Sequence, residues 1–127
     1  MSPLQAEAMS KRLLFIQHRA PYSDDRAAEV LDALLVAAAF GQAVTVLFQD
    51  DGVWQLLPEQ DGKALERKTL LAQLQALGLY DVERLYVDQQ SLQERGLQNS
   101  TLGLHVNRLT AAGIAPLLAE HDLVLRF

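Results

Sequence analysis

Apolar positions in this chain fall into short solid runs, separated by stretches where they recur at helical spacing. Leu13-Leu14-Phe15-Ile16 is apolar at every residue, as expected of a strand buried on both faces. A loop from His18 to Asp24 follows, and then a helix whose Ala27, Leu31, Leu34 and Ala38 fall on one stripe. Arg26, Glu29 and Asp32 take its wetter side. Gly41 ends that helix, and Ala43 to Phe48 reads as a second buried strand.

Asp50-Asp51-Gly52 then turns the chain into a short apolar helix, Val53 to Leu57, closed by Pro58. A polar loop, Glu59 to Gly62, leads to a longer helix from about Ala64 to Leu77, with Leu70, Leu74 and Leu77 aligned and Gly78 just past its end. Glu83 to Val87 is the third predicted strand, and Ser91-x-x-Glu94 matches a capping box for a helix that Arg95-Gly96 terminates. Leu102 to Val106 is the fourth predicted strand, Thr110 to Glu120 the last helix, and Leu123 to Leu125 the fifth strand. Pro116 lies too deep for a helix starting at Thr110, which predicts a kink or a start nearer Gly113. Strands alternating with helices specify an α/β fold with helices on both faces of a parallel sheet.

Composition narrows the classes of function. The 127 residues suit one domain, and a domain of that size buries roughly two-thirds of its unfolded surface. Half the residues are hydrophobic, yet no apolar run approaches the ~20 residues of a membrane-spanning helix. The first residues, MSPLQAEAMSKR, lack a basic stretch followed by an apolar one, so no secretory signal is expected and the cytoplasm is the default. A net charge of −5 with scattered Lys and Arg argues against direct nucleic-acid binding. The chain has no cysteine, which excludes disulfides, thiolate metal sites and thiolate nucleophiles.

Open parallel sheets bind ligands beyond the carboxyl ends of their strands, which directs attention to the loops after Gln17, Phe48, Val87 and Val106. The first, His18 to Ser23, has no glycine with which to cradle a phosphate. Asp50 and Asp51 read either as a paired-carboxylate site for Mg²⁺ or as an Asp-Gly turn with an acidic N-cap, and the turn is favoured. His18, His105 and His121 lack helical metal-ligand spacing; His105 is expected to be packed within a strand, and His121 to sit against a helix carboxyl terminus. No Gly-x-Ser-x-Gly elbow surrounds any serine. No cofactor or metal is expected. Trp54 and its neighbours Leu56 and Leu57 carry more apolar surface than one face of so short a helix buries, which allows core packing or a subunit interface.

Four segments carry a resemblance. Asp51-Gly52-Val53-Trp54-Gln55-Leu56-Leu57-Pro58, Leu77-Gly78-Leu79-Tyr80-Asp81-Val82, Ser91-Leu92-Gln93-Glu94-Arg95-Gly96-Leu97 and Asp122-Leu123-Val124-Leu125-Arg126-Phe127 resemble the TusC/DsrF branch of the DsrE/F/H-like family, in order and spacing. The resemblance runs from about Met9 to Phe127, a single domain over 9–127. Residues 1–8 form an N-terminal extension expected to contribute little.

The resemblance implies a flavodoxin-like, three-layer α/β/α fold with a five-stranded parallel sheet. It also implies assembly with TusB-like and TusD-like homologous subunits into a heterohexamer that relays persulfide sulfur toward 2-thiolation of the tRNA wobble uridine. A DsrF-like subunit serves sulfur oxidation instead. In the family's catalytic subunit a cysteine follows the third strand, eight positions before the Gly of an Arg-Gly pair. Counting back from Gly96 reaches Asp88, so no catalytic residue is carried over to this chain. The interface candidates are Trp54, Leu56, Leu57 and Tyr80. An alternative from another class is a stand-alone small-molecule-binding α/β domain, with a strand-end pocket vacated by Trp54 and lined by His18 and Asp88.

Overall fold

The computed structural model describes residues 11–20, 26–58 and 71–127. The predicted loop Glu59 to Gly62, the start of the helix near Ala64 and the extension 1–8 lie outside them. The elements in order are β1 (Arg12–Gln17), α1 (Arg26–Ala39), β2 (Ala43–Phe48) and a 3₁₀ segment (Asp50–Leu56). Residues 71–75 are helical and continue into a second 3₁₀ segment (Ala76–Tyr80). Next come β3 (Arg84–Asp88), α2 (Gln89–Glu94), β4 (Asn107–Leu109), α3 (Ala111–Ala119) and β5 (Leu123–Arg126).

All four strand pairings are parallel, and the order across the sheet is β4-β3-β2-β1-β5. The result is the expected three-layer architecture. The order itself, which hydrophobic pattern does not encode, differs from the 2-1-3-4-5 arrangement of flavodoxin. Alternate strand residues serve the two faces. Phe15, Val44, Val46, Phe48, Leu85 and Val87 pack with Val30, Leu31 and Leu34 of α1 and with Leu74, Leu77 and Leu92. Leu14, Ile16 and Leu47 point the other way, onto Ile114, Leu117 and Leu118 of α3. Burial on both faces is why the strands read as unbroken apolar runs.

Predicted elements are corrected at several points, among them the helix expected to stop before Gly78, which runs on as a 3₁₀ segment to Tyr80. Residues 102–106 are not a strand; they run through the helix layer, where Leu102, Leu104 and Val106 pack on the larger core. Gly103 anchors this passage: its N–H donates to the Leu56 carbonyl (2.7 Å) and its carbonyl accepts from Gln75 Nε2 (2.6 Å). Any extended segment with one face on a core has alternating apolar residues, so period two alone does not imply sheet pairing. The true β4 is the triplet that follows, Asn107-Arg108-Leu109, of which Leu109 alone packs on the smaller core. Helix α3 begins at Ala111, before Gly113, and holds Pro116 at its sixth position, with the Gly113 N–H turned back to the Thr110 carbonyl (2.9 Å). A further correction, at the start of α2, bears on the site.

Candidate functional site at the strand carboxyl ends

The strand order reverses between β1 and β5, which makes the carboxyl end of β1 the switch point where such sheets bind ligands. Here the chain fills that position itself. The Gln49 N–H donates to the Gln17 carbonyl (3.0 Å), bringing the Asp50–Leu56 segment across the end of β1. Gly52 passes so close that an added Cβ would lie 1.9 Å from the Gln17 carbonyl oxygen, so only glycine fits. Gln55, buried, donates from Nε2 to the Arg19 carbonyl (2.9 Å) and reaches the buried Gln17 amide. Val53, Leu56 and Leu57 insert into the core.

The predicted interface candidates therefore separate. Leu56 and Leu57 are fully buried by this chain's own residues. Trp54 is half-buried against the same core, and Tyr80 is exposed. Core packing accounts for the two leucines.

Asp50 and Asp51 are not N-caps. The 3₁₀ segment begins at Asp50 in a left-handed conformation (φ 52°), behind Gln49, whose side chain makes no capping bond. The Asp50 carboxylate instead accepts from Arg126 Nη2 of β5 (3.1 Å), while Asp51 Oδ1 accepts from Arg95 Nε and Nη2 (3.1 and 3.0 Å). Each carboxylate is thus matched to a cation from a different element, which pins the loop to α2 and to the last strand.

The predicted capping box is also displaced. Helix α2 starts at Gln89 with Asp88 as its N-cap, and Ser91 sits inside the first turn. Asp88 is buried, at 7% exposure, and both its oxygens are used: Oδ1 accepts from the Gln90 N–H (3.3 Å) and Oδ2 from the Ser91 hydroxyl (2.7 Å). The Ser91 Oγ accepts in turn from the Asp50 N–H (2.9 Å), so one hydrogen-bond chain joins the ends of β2 and β3. Arg95, the C-cap residue of α2, closes the ring by donating from Nη1 to the Ser91 carbonyl (3.1 Å). Gly96, at φ 69°, takes the left-handed turn that leaves the helix. The pattern Ser-x-x-Glu is ambiguous because an Asp three residues upstream of the Ser can cap equally well.

The histidines do not converge. His18 directly follows β1, and its backbone N–H donates to the Phe127 carbonyl (3.0 Å). His105 is exposed on the 102–106 passage, contrary to its expected place in a strand. His121 donates from Nδ1 to the Leu117 carbonyl (2.6 Å), at the carboxyl end of α3 as expected, and its Nε2 meets Thr45 Oγ1 (2.9 Å). Among the described residues no three His, Asp or Glu side chains are placed to hold a metal ion. His18 and Asp88 stand on strands two places apart, roughly 10 Å at ordinary strand spacing.

The fold and this site define a class: a small parallel α/β domain whose switch point is occupied by its own 3₁₀ segment. The chain belongs to the DsrE/DsrF-like family, whose model matches residues 11–127. It is 43% identical over 117 residues to a protein TusC homolog of Pseudomonas aeruginosa, covering 92% of this chain and 98% of that relative. It is 44% identical over 92 residues to the intracellular sulfur oxidation protein DsrF of Allochromatium vinosum, covering 72% of this chain and 68% of that protein. The crystal structure of the ychN protein from E. coli superposes with a TM-score of 0.76 over 92% of this chain and 99% of the other, at 18% identity, a likeness of fold.

Proposed function

We propose that this chain is a non-catalytic subunit of a TusBCD-type sulfur-relay complex that passes persulfide sulfur toward 2-thiolation of the tRNA wobble uridine. The observation that carries the reading is the state of Asp88. Accepting and passing a sulfane sulfur needs a thiolate nucleophile, and the chain has no cysteine. At the position where the family resemblance puts the reactive thiol, a carboxylate spends both oxygens capping α2 and bonding Ser91. Its role is to hold shape, and the neighbouring segment occupies the space a ligand would need.

The chain acts with TusB-like and TusD-like subunits, holding them in register in the cytoplasm as part of a heterohexamer. Its net charge of −5 leaves tRNA contact to other subunits. Among the described residues no helix is long and apolar enough to cross a membrane. A DsrF-like role in sulfur oxidation is the second reading, favoured by the comparable identity to the DsrF protein. The relay reading ranks higher because the match to the TusC homolog spans nearly the whole of that relative.

Co-expression with TusB-like and TusD-like subunits, followed by sizing of the product, tests the subunit role; a chain that stays separate from both sinks it. Deleting the gene separates the pathways, since loss of 2-thiouridine supports the relay and unchanged 2-thiouridine supports sulfur oxidation. Asp88→Cys in the isolated chain is expected to give no sulfur transfer.

A further inference from the structure

The amino end of the sheet, opposite the site just described, exposes an apolar patch that the fold does not use. Val36 near the end of α1 and Phe40 in the turn just past it lie one turn apart and are 56% and 80% exposed. Leu79 and Tyr80, at the end of the second 3₁₀ segment, are 86% and 46% exposed. The two elements pack against each other, and both deliver the chain to strand amino ends: Phe40 precedes β2 and Tyr80 precedes β3. Single exposed apolar residues are ordinary, whereas four large ones on two packed elements form the kind of patch that marks an interaction site.

From these observations we infer that this patch docks a non-identical protein subunit whose matching surface is an apolar hollow ringed by Lys and Arg. The inference rests on the subunit reading above and names the surface that reading leaves open.

Area argues for a protein partner. At roughly 150–250 Å² for a fully buried aromatic, the four side chains offer roughly 400–500 Å² in all, about half of the ~800 Å² each side gives a standard interface. That suits the centre of an interface with a polar rim around it.

Charge argues against a second copy of this chain. Asp32 shares the exposed stripe of Val36 and Phe40, while Asp81 and Glu83 follow Tyr80 directly. All three are exposed and make no ion pair among the described residues. Among the described residues the cations at this end are Lys11, Arg12, which is held by Asp122, and Arg84, which is held by Glu120. Two copies meeting here would bring like charges together, whereas a basic rim would be steered in.

The test is co-expression with the homologous subunits, read by native mass spectrometry and by titration of the purified components. The variants are Phe40→Glu/Leu79→Glu and, on the far face, the control Ala112→Glu. Circular dichroism and melting first establish that each variant folds. The wild type and Ala112→Glu are expected to assemble, and the double variant to bind at least about 30-fold more weakly. Asp81→Lys/Glu83→Lys is expected to slow association and flatten its salt dependence.

If the double variant is unfolded, a photo-crosslinking residue at position 40 in the otherwise native chain replaces it, and capture of a homologous subunit is the expected result. Assembly unchanged by the double variant, or no crosslink from position 40, overturns the docking surface and leaves the subunit reading intact. Failure of the wild type to assemble sinks the subunit reading and this inference with it. A homodimer broken by Phe40→Glu/Leu79→Glu overturns the choice of a non-identical partner.

Discussion

The two ends of this parallel sheet are finished in opposite ways. At the carboxyl end the three carboxylates are matched within the chain: Asp50 to Arg126, Asp51 to Arg95, Asp88 to Ser91 and the first turn of α2, while Gln17 Nε2 and Gln55 Oε1 are buried without a hydrogen-bond partner among the described residues. Its apolar side chains, Val53, Leu56 and Leu57, are driven into the core. At the amino end the chain leaves Phe40 and Leu79 in water and, among the described residues, the carboxylates of Asp32, Asp81 and Glu83 without ion pairs. The first end is where open parallel sheets bind ligands, and here the 3₁₀ segment lies across it. Apolar side chains are buried at one end and left open at the other, which is the contrast the proposed docking surface rests on.

The comparison breaks most directly at Gly52. Gly52→Ala sets a methyl group against the Gln17 carbonyl, a backbone atom that cannot swing aside, so the 3₁₀ segment must lift off β1. The expected loss is about 2–4 kcal/mol in urea denaturation. Wild-type stability in this variant would mean that the segment does not seal the switch point.

Leu56→Ala and Leu57→Ala are expected to cost about 2–4 kcal/mol each, because both side chains are buried and leave cavities. The same truncation at Phe40 or Leu79 should move the isolated chain by less than about 0.5 kcal/mol, since little is buried there to lose. Equal losses at both ends would erase the contrast. Next in size is Asp88→Ala, expected to cost about 1–2 kcal/mol by removing the cap and orphaning the Ser91 hydroxyl. Asp88→Asn keeps an acceptor and should recover most of that loss.

How much of this was legible in the sequence follows from what each signal encodes. The solid runs around Phe15 and Val46 announced strands buried on both faces, because only a parallel sheet with helices on each side demands that pattern. Strand order was invisible, since the hydrophobic pattern of a strand does not say which neighbour it takes. The Leu102–Val106 passage misled because packing one face on a core gives the same alternation as pairing in a sheet. At the site, Asp88 was located by counting from Gly96, yet its use as the N-cap was hidden by a competing Ser91-x-x-Glu94 signal. The pairing of Asp50 with Arg126 spans 76 residues and depends wholly on β5 lying beside β1, so no local pattern could have carried it. Nothing in the sequence distinguishes Phe40 and Leu79 from apolar residues that pack, and only the fold shows how exposed they are.

The smallest expected effect is the acid response of the amino end. The hydrogen bond from Arg84 holds the Glu120 carboxyl below its ordinary value, and the Arg12 backbone N–H, followed by its guanidinium, does the same for Asp122. A carboxylate whose pKa is depressed by folding adds stability above its unfolded value, near ~4, and that contribution is lost as pH falls through the folded value. Both groups are solvent-exposed, so screening keeps the contribution small. The melting temperature should therefore hold between about pH 7 and 5 on this account and begin to fall below about pH 4. Glu120→Gln/Asp122→Asn should flatten part of that acid slope, and added salt should flatten it further in the wild type. An acid slope identical in the double variant would assign the loss to other carboxylates, and the amino end would then differ from the carboxyl end in its exposed apolar surface and unpaired rim alone.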